Sequence, residues 1–172
     1  MKLSELIDKL DKPVIVSGLF DFRVAGITRS SRQVKDNFIF VAIKGVTGDG
    51  HDFIGEAIKK GAKVIVHSCQ LTAKNSDKVL FIRVKDARSA LARLAAGFYG
   101  NPSEKIKVVG ITGTNGKTTI TYLIEALLKK ANFIPAVIGT INYRYKDKII
   151  PSKNTTPGPV ELESMLAEMV KQ

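Results

Sequence analysis

The chain has 172 residues, 44% apolar and 25% charged, a composition that suits one globular domain or two small ones and excludes a wholly disordered chain. Its net charge of +11 comes from basic residues scattered in ones and twos without interleaved aromatics, which disfavours nucleic-acid binding and favours a multiply anionic small substrate. The single Cys69 excludes an intramolecular disulfide, and with only two histidines beside it no metal-ligand spacing is present.

The first hundred residues predict alternating helices and strands. Residues 1–10 mix charged with apolar side chains and lack the apolar core of a secretory signal, so we expect a cytoplasmic protein with no membrane segment. Their spacing predicts a helix instead. Asp52 is expected to cap a second helix and Asp86 to begin a third. The ranges predicted are strands at 14–16, 37–43, 63–67 and 79–84, and helices at 53–60 and from 86 to near 100.

A domain boundary is predicted at the turn Asn101-Pro102, because a completed α/β unit ends there and a new strand begins. We therefore assign residues 1–102 to one domain and 103–172 to a second. The second domain is expected to begin as a strand–loop–helix–strand unit, then to form a hairpin centred on Lys146-Asp147 and a last helix. The corresponding ranges are 107–112, 113–116, 117–131, 134–139, 143–150 and 160–170.

The clearest chemical signal lies in one glycine-containing segment, Gly113, Thr114, Asn115, Gly116, Lys117, Thr118 and Thr119. It places a flexible loop between a predicted strand and a helix, where backbone N–H groups and the helix N-terminus hold an anion. Lys117 is expected to reach the β- and γ-phosphates of a nucleotide, and the Thr118 hydroxyl to ligate Mg²⁺. The segment therefore predicts a P-loop, although the spacing from Gly110 to Gly116 is one residue longer than the usual pattern.

The string from Gly110 to Thr119 resembles the ATP loop of the Mur ligases and their folylpolyglutamate synthetase relatives, and the longer glycine spacing is that family's own pattern. The stretch 31–62, with Ser31-Arg32 and Asp49-Gly50-His51, resembles the UDP-substrate domain of the muramoyl peptide ligases. Asn154-Thr155-Thr156-Pro157 resembles the substrate loop of one member, UDP-N-acetylmuramoyl-L-alanyl-D-glutamate ligase, which adds the third amino acid.

The resemblance implies an α/β fold in which an N-terminal UDP-substrate-binding domain precedes the start of a P-loop ATPase-type central domain. It implies an ATP-dependent amide ligase of peptidoglycan synthesis that adds an amino acid to UDP-N-acetylmuramoyl-L-alanyl-D-glutamate through an acyl phosphate, with ATP and Mg²⁺ as cofactors and the protein a monomer. The family's Mg²⁺-binding glutamate, carbamylated lysine and amino-acid-binding domain lie beyond Gln172. We therefore expect an inactive piece of the enzyme, with no catalytic residue inside it.

Site residues follow from the same resemblance. ATP is assigned to residues 113–119 and Mg²⁺ to Thr118. The residues assigned to the UDP portion are Arg29, Ser31, Val46, Thr47 and Gly48, and those assigned to the peptide end are Asn154, Thr155 and Thr156. Ser30 departs from the Asp that is common in the family. Two plainer interpretations stay open, with Ser31 as an ordinary turn residue and Thr155-Thr156 as the cap of the last helix.

Three other functions are also compatible with the sequence. The first is the related ligase that adds the terminal dipeptide, which shares the pattern of the first domain. The second is a UDP-sugar-binding module without catalysis, and the third is an unrelated P-loop kinase or GTPase. Because a P-loop indicates only nucleotide phosphates, the choice among these functions depends on the rest of the site.

Overall fold

The computed structural model describes residues 1–15, 21–46, 48–70, 78–152 and 154–172. These residues form two compact units, unit 1 at Met1–Gly100 and unit 2 at Asn101–Gln172. Each unit combines strands with helices. The α/β class predicted from the sequence is therefore confirmed.

Unit 1 is built on a five-stranded sheet with strand order β1-β5-β4-β3-β2. Strands β2 to β5 are parallel, and β1 pairs antiparallel with β5. The strands are β1 (Val14–Ile15), β2 (Gly26–Thr28), β3 (Phe38–Val41), β4 (Ala62–His67) and β5 (Leu80–Arg83). The helices are α1 (Leu3–Ile7), α2 (Ile54–Lys59) and α3 (Ala87–Phe98).

The core of unit 1 lies on the central strands. Phe40 and Ile65 are fully buried in a cluster with Ala57 of α2. On the same sheet, Leu94 of α3 is buried to 1% exposure. Strands covered on both faces are apolar along their whole length, and this explains the uninterrupted runs that predicted β3, β4 and β5.

Two local features of unit 1 differ from the sequence-based expectation. The predicted cap Asp52 is wrong: the Asp49 carboxylate accepts the His51 N–H at 3.0 Å and begins a 3₁₀ turn, Gly50–Phe53, before α2 starts. The backbone N–H of His51, two residues after Asp49, has no partner within the turn, so Asp49 and not Asp52 is placed to cap the turn. Strand β2 was not predicted, because three residues that include Gly26 and Thr28 make a weak pattern.

Unit 2 combines two helices with a three-stranded antiparallel sheet of order β6-β7-β8. Its elements are α4 (Lys117–Lys130), β6 (Val137–Ile138), β7 (Asn142–Tyr145), β8 (Lys148–Pro151) and α5 (Pro159–Lys171). The hairpin centred on Lys146-Asp147 and the last helix are confirmed. Lys146 has φ +50°, a left-handed conformation that closes the tight turn.

The strand predicted at 107–112 is wrong, since these residues have no regular secondary structure. Val108 and Val109 are 62% and 66% exposed, and within the described part of the chain no strand pairs with them. A strand exists only through its hydrogen-bonded neighbours, so an apolar run without a partner stays irregular. For the same reason the strand predicted at 134–139 is reduced to Val137–Ile138, and Ile134 is 82% exposed.

None of the helices in the described ranges is both long enough and apolar enough to cross a lipid bilayer.

Candidate functional site

The segment 113–116 forms an exposed loop that leads into the 14-residue helix α4. Gly113 has φ +148° and Gly116 has φ +76°, conformations that L side chains rarely adopt. Gly116 is the N-cap of α4, so the first N–H groups of the helix have no intrahelical partner and face the loop. A glycine loop that leads into a helix N-terminus is a geometry that suits an anion.

Lys117 begins α4 and folds back over the loop. Its Nζ donates to the Gly113 carbonyl at 2.5 Å and to the Thr114 carbonyl at 3.4 Å. These two carbonyls hold the ammonium beside the exposed backbone N–H groups. A positive charge and a set of free donors therefore occupy the same small region, and this combination suits a polyphosphate.

A cavity of about 100 Å³ lies beside the start of α4. Lys117 and Thr118 line it from the helix, and Thr155 and Thr156 line it from the segment after β8. Thr118 is half-buried, while Thr155 and Thr156 are exposed. Two groups of predicted residues, one for a nucleotide and one for a peptide, thus meet in one cavity of unit 2.

The segment Asn154–Pro157, which we call the NTTP loop, is held from the neighbouring hairpin. The Tyr143 hydroxyl donates to the Asn154 carbonyl at 2.6 Å, and the Thr140 hydroxyl lies 3.4 Å from that of Thr155. Helix α5 has Gly158 as its N-cap and no side-chain capping bond. The alternative that Thr155-Thr156 caps the last helix is therefore wrong.

The same hairpin is tied to α4 by an ion pair. Arg144 donates from Nε to both carboxylate oxygens of Glu125, at 3.1 and 3.0 Å, and donates again from Nη2. Its Nη1 donates to Asn142 Oδ1 at 2.8 Å, and its guanidinium lies 4.2 Å from the centre of the Tyr122 ring. The Glu125 side chain is only 8% exposed, and the hydrogen bonds from Arg144, followed by that from Lys129, lower its pKa to about 2.

In unit 1 the predicted UDP-binding residues follow two neighbouring parallel strands. Arg29 and Ser31 come directly after β2, and Val46 and Gly48 follow β3. Carboxyl ends of adjacent parallel strands meet at one edge of a sheet, where open α/β sheets bind their ligands. Val46 and Gly48 are exposed in this loop, and Thr47 lies outside the described residues.

Ser31 is buried, and its side chain has a defined partner. The Ser31 hydroxyl donates to Glu56 Oε2 of α2 at 2.7 Å, and Lys60 Nζ donates to the other oxygen of Glu56 at 2.6 Å. The bond from Lys60, followed by that from Ser31, lowers the pKa of Glu56. Ser31 is thus more than an ordinary turn residue, since it fixes the segment after β2 to α2. Arg29 is exposed at the same edge.

The loop that carries Val46 and Gly48 is closed by short-range bonds. Gly45 N–H donates to the Gly48 carbonyl at 2.8 Å, and Asp49 Oδ1 lies 2.5 Å from His51 Nδ1. His51, chiefly through its backbone N–H, lowers the pKa of Asp49. From the other side, Arg88 Nη2 of α3 donates to the Lys44 carbonyl at 2.9 Å. The loop at this edge is therefore held at both of its ends.

Sequence reasoning missed several of these supporting residues. Glu56, Arg88, Glu125, Tyr143 and Arg144 act across 11 to 44 positions of chain. A lone charge or tyrosine in a helix or strand carries no mark of such a partner. The burial of the Glu125 charge in α4 is visible only in the structure.

Two family models match the chain. The model described as Mur ligase family, catalytic domain, matches residues 23–99, and the model described as Mur ligase middle domain matches residues 111–172. Together they match more than half of the 172 residues. The two matched ranges lie on either side of the division between units 1 and 2.

Relatives and solved structures agree with these models. A UDP-N-acetylmuramoyl-L-alanyl-D-glutamate--2,6-diaminopimelate ligase from Geobacter sulfurreducens is 44% identical over 172 residues, covering 100% of this chain and 33% of the relative. A solved structure of a ligase with the same name has a TM-score of 0.65 at 25% identity, over 86% of this chain and 30% of that one. The corresponding D-alanyl-D-alanyl ligase from Acinetobacter baumannii has a TM-score of 0.59 at 21% identity, over 96% of this chain and 32% of that one. This similarity shows the fold alone.

These names correct the member name that the NTTP loop suggested. The name UDP-N-acetylmuramoyl-L-alanyl-D-glutamate ligase omits the added amine and also fits the enzyme that attaches the D-glutamate. The relatives, in contrast, are named for joining that compound to 2,6-diaminopimelate. The chain spans about a third of the length of the curated relatives that it matches. With both of its units matched by models of one family, the chain belongs to the Mur ligase family.

Proposed function

We propose that this chain supplies the UDP-substrate-binding and ATP-binding parts of a ligase that adds the third amino acid to UDP-N-acetylmuramoyl-L-alanyl-D-glutamate. The proposal is supported by relatives 37 to 47% identical that are named for this acceptor. Their names give 2,6-diaminopimelate as the added amine, which we adopt for this protein. Units 1 and 2 are taken as the UDP-substrate domain and the P-loop domain.

One observation carries the proposal. Lys117 and Thr118 line the same cavity as Thr155 and Thr156. Amide ligation through an acyl phosphate requires a phosphate donor and an acceptor carboxylate within reach of each other, because positioning supplies much of the rate. A proposed nucleotide site and a proposed peptide site in one cavity would meet that requirement.

The residues of the loop fit ATP. Gly113 and Gly116 adopt positive φ, and the helix N-terminus offers free N–H groups. Lys117 would exchange its two loop carbonyls for phosphate oxygens, and its charge would offset the negative charge that develops on the transferred group. Bound ATP supplies the phosphoryl group that activates the acceptor carboxylate.

Mg²⁺ would be held with few protein ligands. Thr118 lines the cavity, and the described ranges hold no cluster of three or more His, Cys, Asp or Glu side chains suited to a metal ion. Mg²⁺ commonly keeps waters and phosphate oxygens with one or two protein groups, so a single hydroxyl fits this pattern. Thr118 is therefore proposed as the one metal ligand in this part of the protein.

The peptide end of the acceptor would bind at the NTTP loop. The exposed hydroxyls of Thr155 and Thr156 can donate to a carboxylate, and Asn154 adds an amide. In unit 1 the UDP portion is proposed to bind at the edge formed after β2 and β3, with Arg29 offering charge to the diphosphate. Val46, Thr47 and Gly48 would contribute mainly backbone groups.

Calorimetry tests the proposal. UDP-N-acetylmuramoyl-L-alanyl-D-glutamate, ATP and GTP are titrated side by side, and we expect binding of the UDP compound together with a preference for ATP over GTP. The UDP compound that already carries 2,6-diaminopimelate is included as the acceptor named for the terminal-dipeptide ligase. Tighter binding of this longer compound would favour that ligase instead. GTP preference with no affinity for either UDP compound would overturn the proposal.

A further inference from the structure

The hairpin of β7 and β8 contains a fully buried tyrosine whose hydroxyl serves the NTTP loop. The Tyr143 ring is 1% exposed, and its O–H donates to the Asn154 carbonyl at 2.6 Å. A buried phenol needs a hydrogen-bond partner, and here that partner is the backbone of the residue that begins the loop. The bond joins two positions 11 residues apart.

This bond restrains the loop without occupying its ligand-binding groups. Asn154 is held through its main chain, so its side-chain amide stays available. Pro157 at the other end is buried, whereas Thr155 and Thr156 between them are exposed. The two ends of the loop are therefore anchored, while Thr155 and Thr156 between them line the cavity that Lys117 also lines.

Strand β7 also connects the loop to the P-loop helix. Tyr143 and Arg144 are consecutive, so their side chains point to opposite faces of the strand. Tyr143 holds the NTTP loop on one side, and Arg144 holds Glu125 of α4 on the other. The position of Thr155 and Thr156 relative to Lys117 is thereby set through two adjacent residues of one strand.

We infer that Tyr143 is a positioning residue for the peptide end of the acceptor. Its hydroxyl sets the backbone of the NTTP loop so that the threonine hydroxyls meet the acceptor peptide. The inference rests on the proposed function, since it takes the NTTP loop as the peptide site. It adds a residue that touches neither ATP nor the acceptor, yet controls how strongly the peptide contributes to binding.

The test compares Tyr143→Phe with a matched control, Tyr145→Phe. Tyr145 lies two residues further along β7 and is 4% exposed, and its hydroxyl donates to Glu168 Oε2 of α5 at 2.7 Å. Each substitution removes one buried phenolic hydrogen bond from the same face of the same strand. The bond lost from Tyr143 reaches the NTTP loop, whereas the bond lost from Tyr145 reaches a carboxylate of α5.

Each protein is titrated with UDP-N-acetylmuramoyl-L-alanyl-D-glutamate, with UDP-N-acetylmuramic acid lacking the peptide, and with ATP. For Tyr143→Phe we expect roughly 5- to 10-fold weaker binding of the peptide-bearing compound, the value of one ordinary hydrogen bond. Binding of the peptide-free compound and of ATP should be unchanged. Tyr145→Phe should bind all three as the wild type does.

Hydrogen exchange provides a ligand-free measurement on the same proteins. Tyr143→Phe should speed exchange of the Thr155 and Thr156 amides by more than it speeds exchange in α4, and Tyr145→Phe should leave the loop unaffected. Equal loss of peptide affinity in both variants, or no loss in Tyr143→Phe, overturns the inference while the proposed function stands. If the wild type binds the two UDP compounds equally well, the assignment of the peptide site to the NTTP loop is wrong, and the inference about Tyr143 is wrong with it.

Discussion

Unit 1 and unit 2 bury their apolar residues very differently. In unit 1 the strands β3, β4 and β5 are almost completely buried, and among its exposed large apolar residues Val46 lies in the proposed UDP-binding loop. Within the described part of unit 2 the buried apolar residues are few: Val137, Tyr143, Tyr145, Met165 and Leu166. Most of the exposed large apolar side chains of the described residues belong to unit 2, including Val109, Leu123, Leu127 and Ile134.

The difference indicates two sources of order. Unit 1 is stabilised by apolar burial, which is non-directional and spread over many side chains. Unit 2 relies on a few directional contacts, namely Glu125 with Arg144, Tyr143 with Asn154, and Tyr145 with Glu168. Two of these contacts also position the candidate site. In unit 2, therefore, a change to one polar side chain should affect both stability and ligand binding.

The largest effect is expected from removing core volume in unit 1. Phe40→Ala should lower the free energy of unfolding of unit 1 by about 3 to 5 kcal/mol, because Phe40 is fully buried and its neighbours can fill the space only in part. The control is Leu127→Ala in unit 2, where the side chain is 67% exposed and the change should stay within about 0.5 kcal/mol. Urea unfolding followed by far-ultraviolet circular dichroism measures both, and similar losses would contradict the comparison.

The next largest effect concerns the ion pair of unit 2. Arg144→Met leaves the buried Glu125 carboxylate without its main partner and should cost about 3 kcal/mol. Lys129→Met removes a second cation 2.9 Å from the same carboxylate, but Lys129 is 62% exposed, so we expect less than about 1 kcal/mol.

Tyrosine fluorescence can follow this unfolding, since Tyr122, Tyr143 and Tyr145 lie in unit 2 and only Tyr99 of the four tyrosines lies in unit 1. If Lys129→Met were as harmful as Arg144→Met, burial of the pair would not be what matters.

Acid should lower the stability of unit 2 by protonating the Glu125 carboxylate. The pKa of Glu125 is lowered from 4.5 to about 2, so its stabilising contribution is complete above pH 4.5 and is lost as the pH falls towards 2. The loss should be on the order of 2 kcal/mol. Unfolding free energies of the wild type and of Glu125→Gln, measured across this range, should converge as the pH falls. A constant difference between them would show that Glu125 does not titrate in this way.

The last expected effect concerns the ATP site proposed in unit 2. Lys117→Ala should weaken ATP binding by tenfold or more, because a charge-assisted bond contributes roughly 1.5 to 3 kcal/mol. Binding of the UDP compound should be nearly unchanged, since Lys117 is assigned to the phosphates of ATP and not to the acceptor. Lys130→Ala, at the other end of α4, serves as the control for charge. Equal loss of both ligands in Lys117→Ala would contradict the assignment of Lys117 to ATP alone.

Much of the fold could be predicted wherever a segment carries its own signal. The helix after Gly116 was predicted to begin at Lys117 and does so, because a glycine loop followed by an amphipathic run defines a helix start locally. The hairpin at Lys146-Asp147 was predicted for a similar reason. The strand predicted at 107–112 was wrong, since the apolar character of this run shows only that it can form a strand. It says nothing about whether a partner strand lies beside it.

The sequence by itself determined the glycine loop before α4, the alternation of helices and strands, and the family to which the pattern belongs, because each of these depends on residues that are close together in the chain. Only the tertiary structure decided that Thr155 and Thr156 share a cavity with Lys117, that Ser31 is bound to Glu56, and that Tyr143 and Arg144 hold the site from two faces of one strand. These contacts join distant positions, and side chains such as Tyr, Arg and Glu can take many partners. The choice among those partners is made by packing, which no local pattern contains.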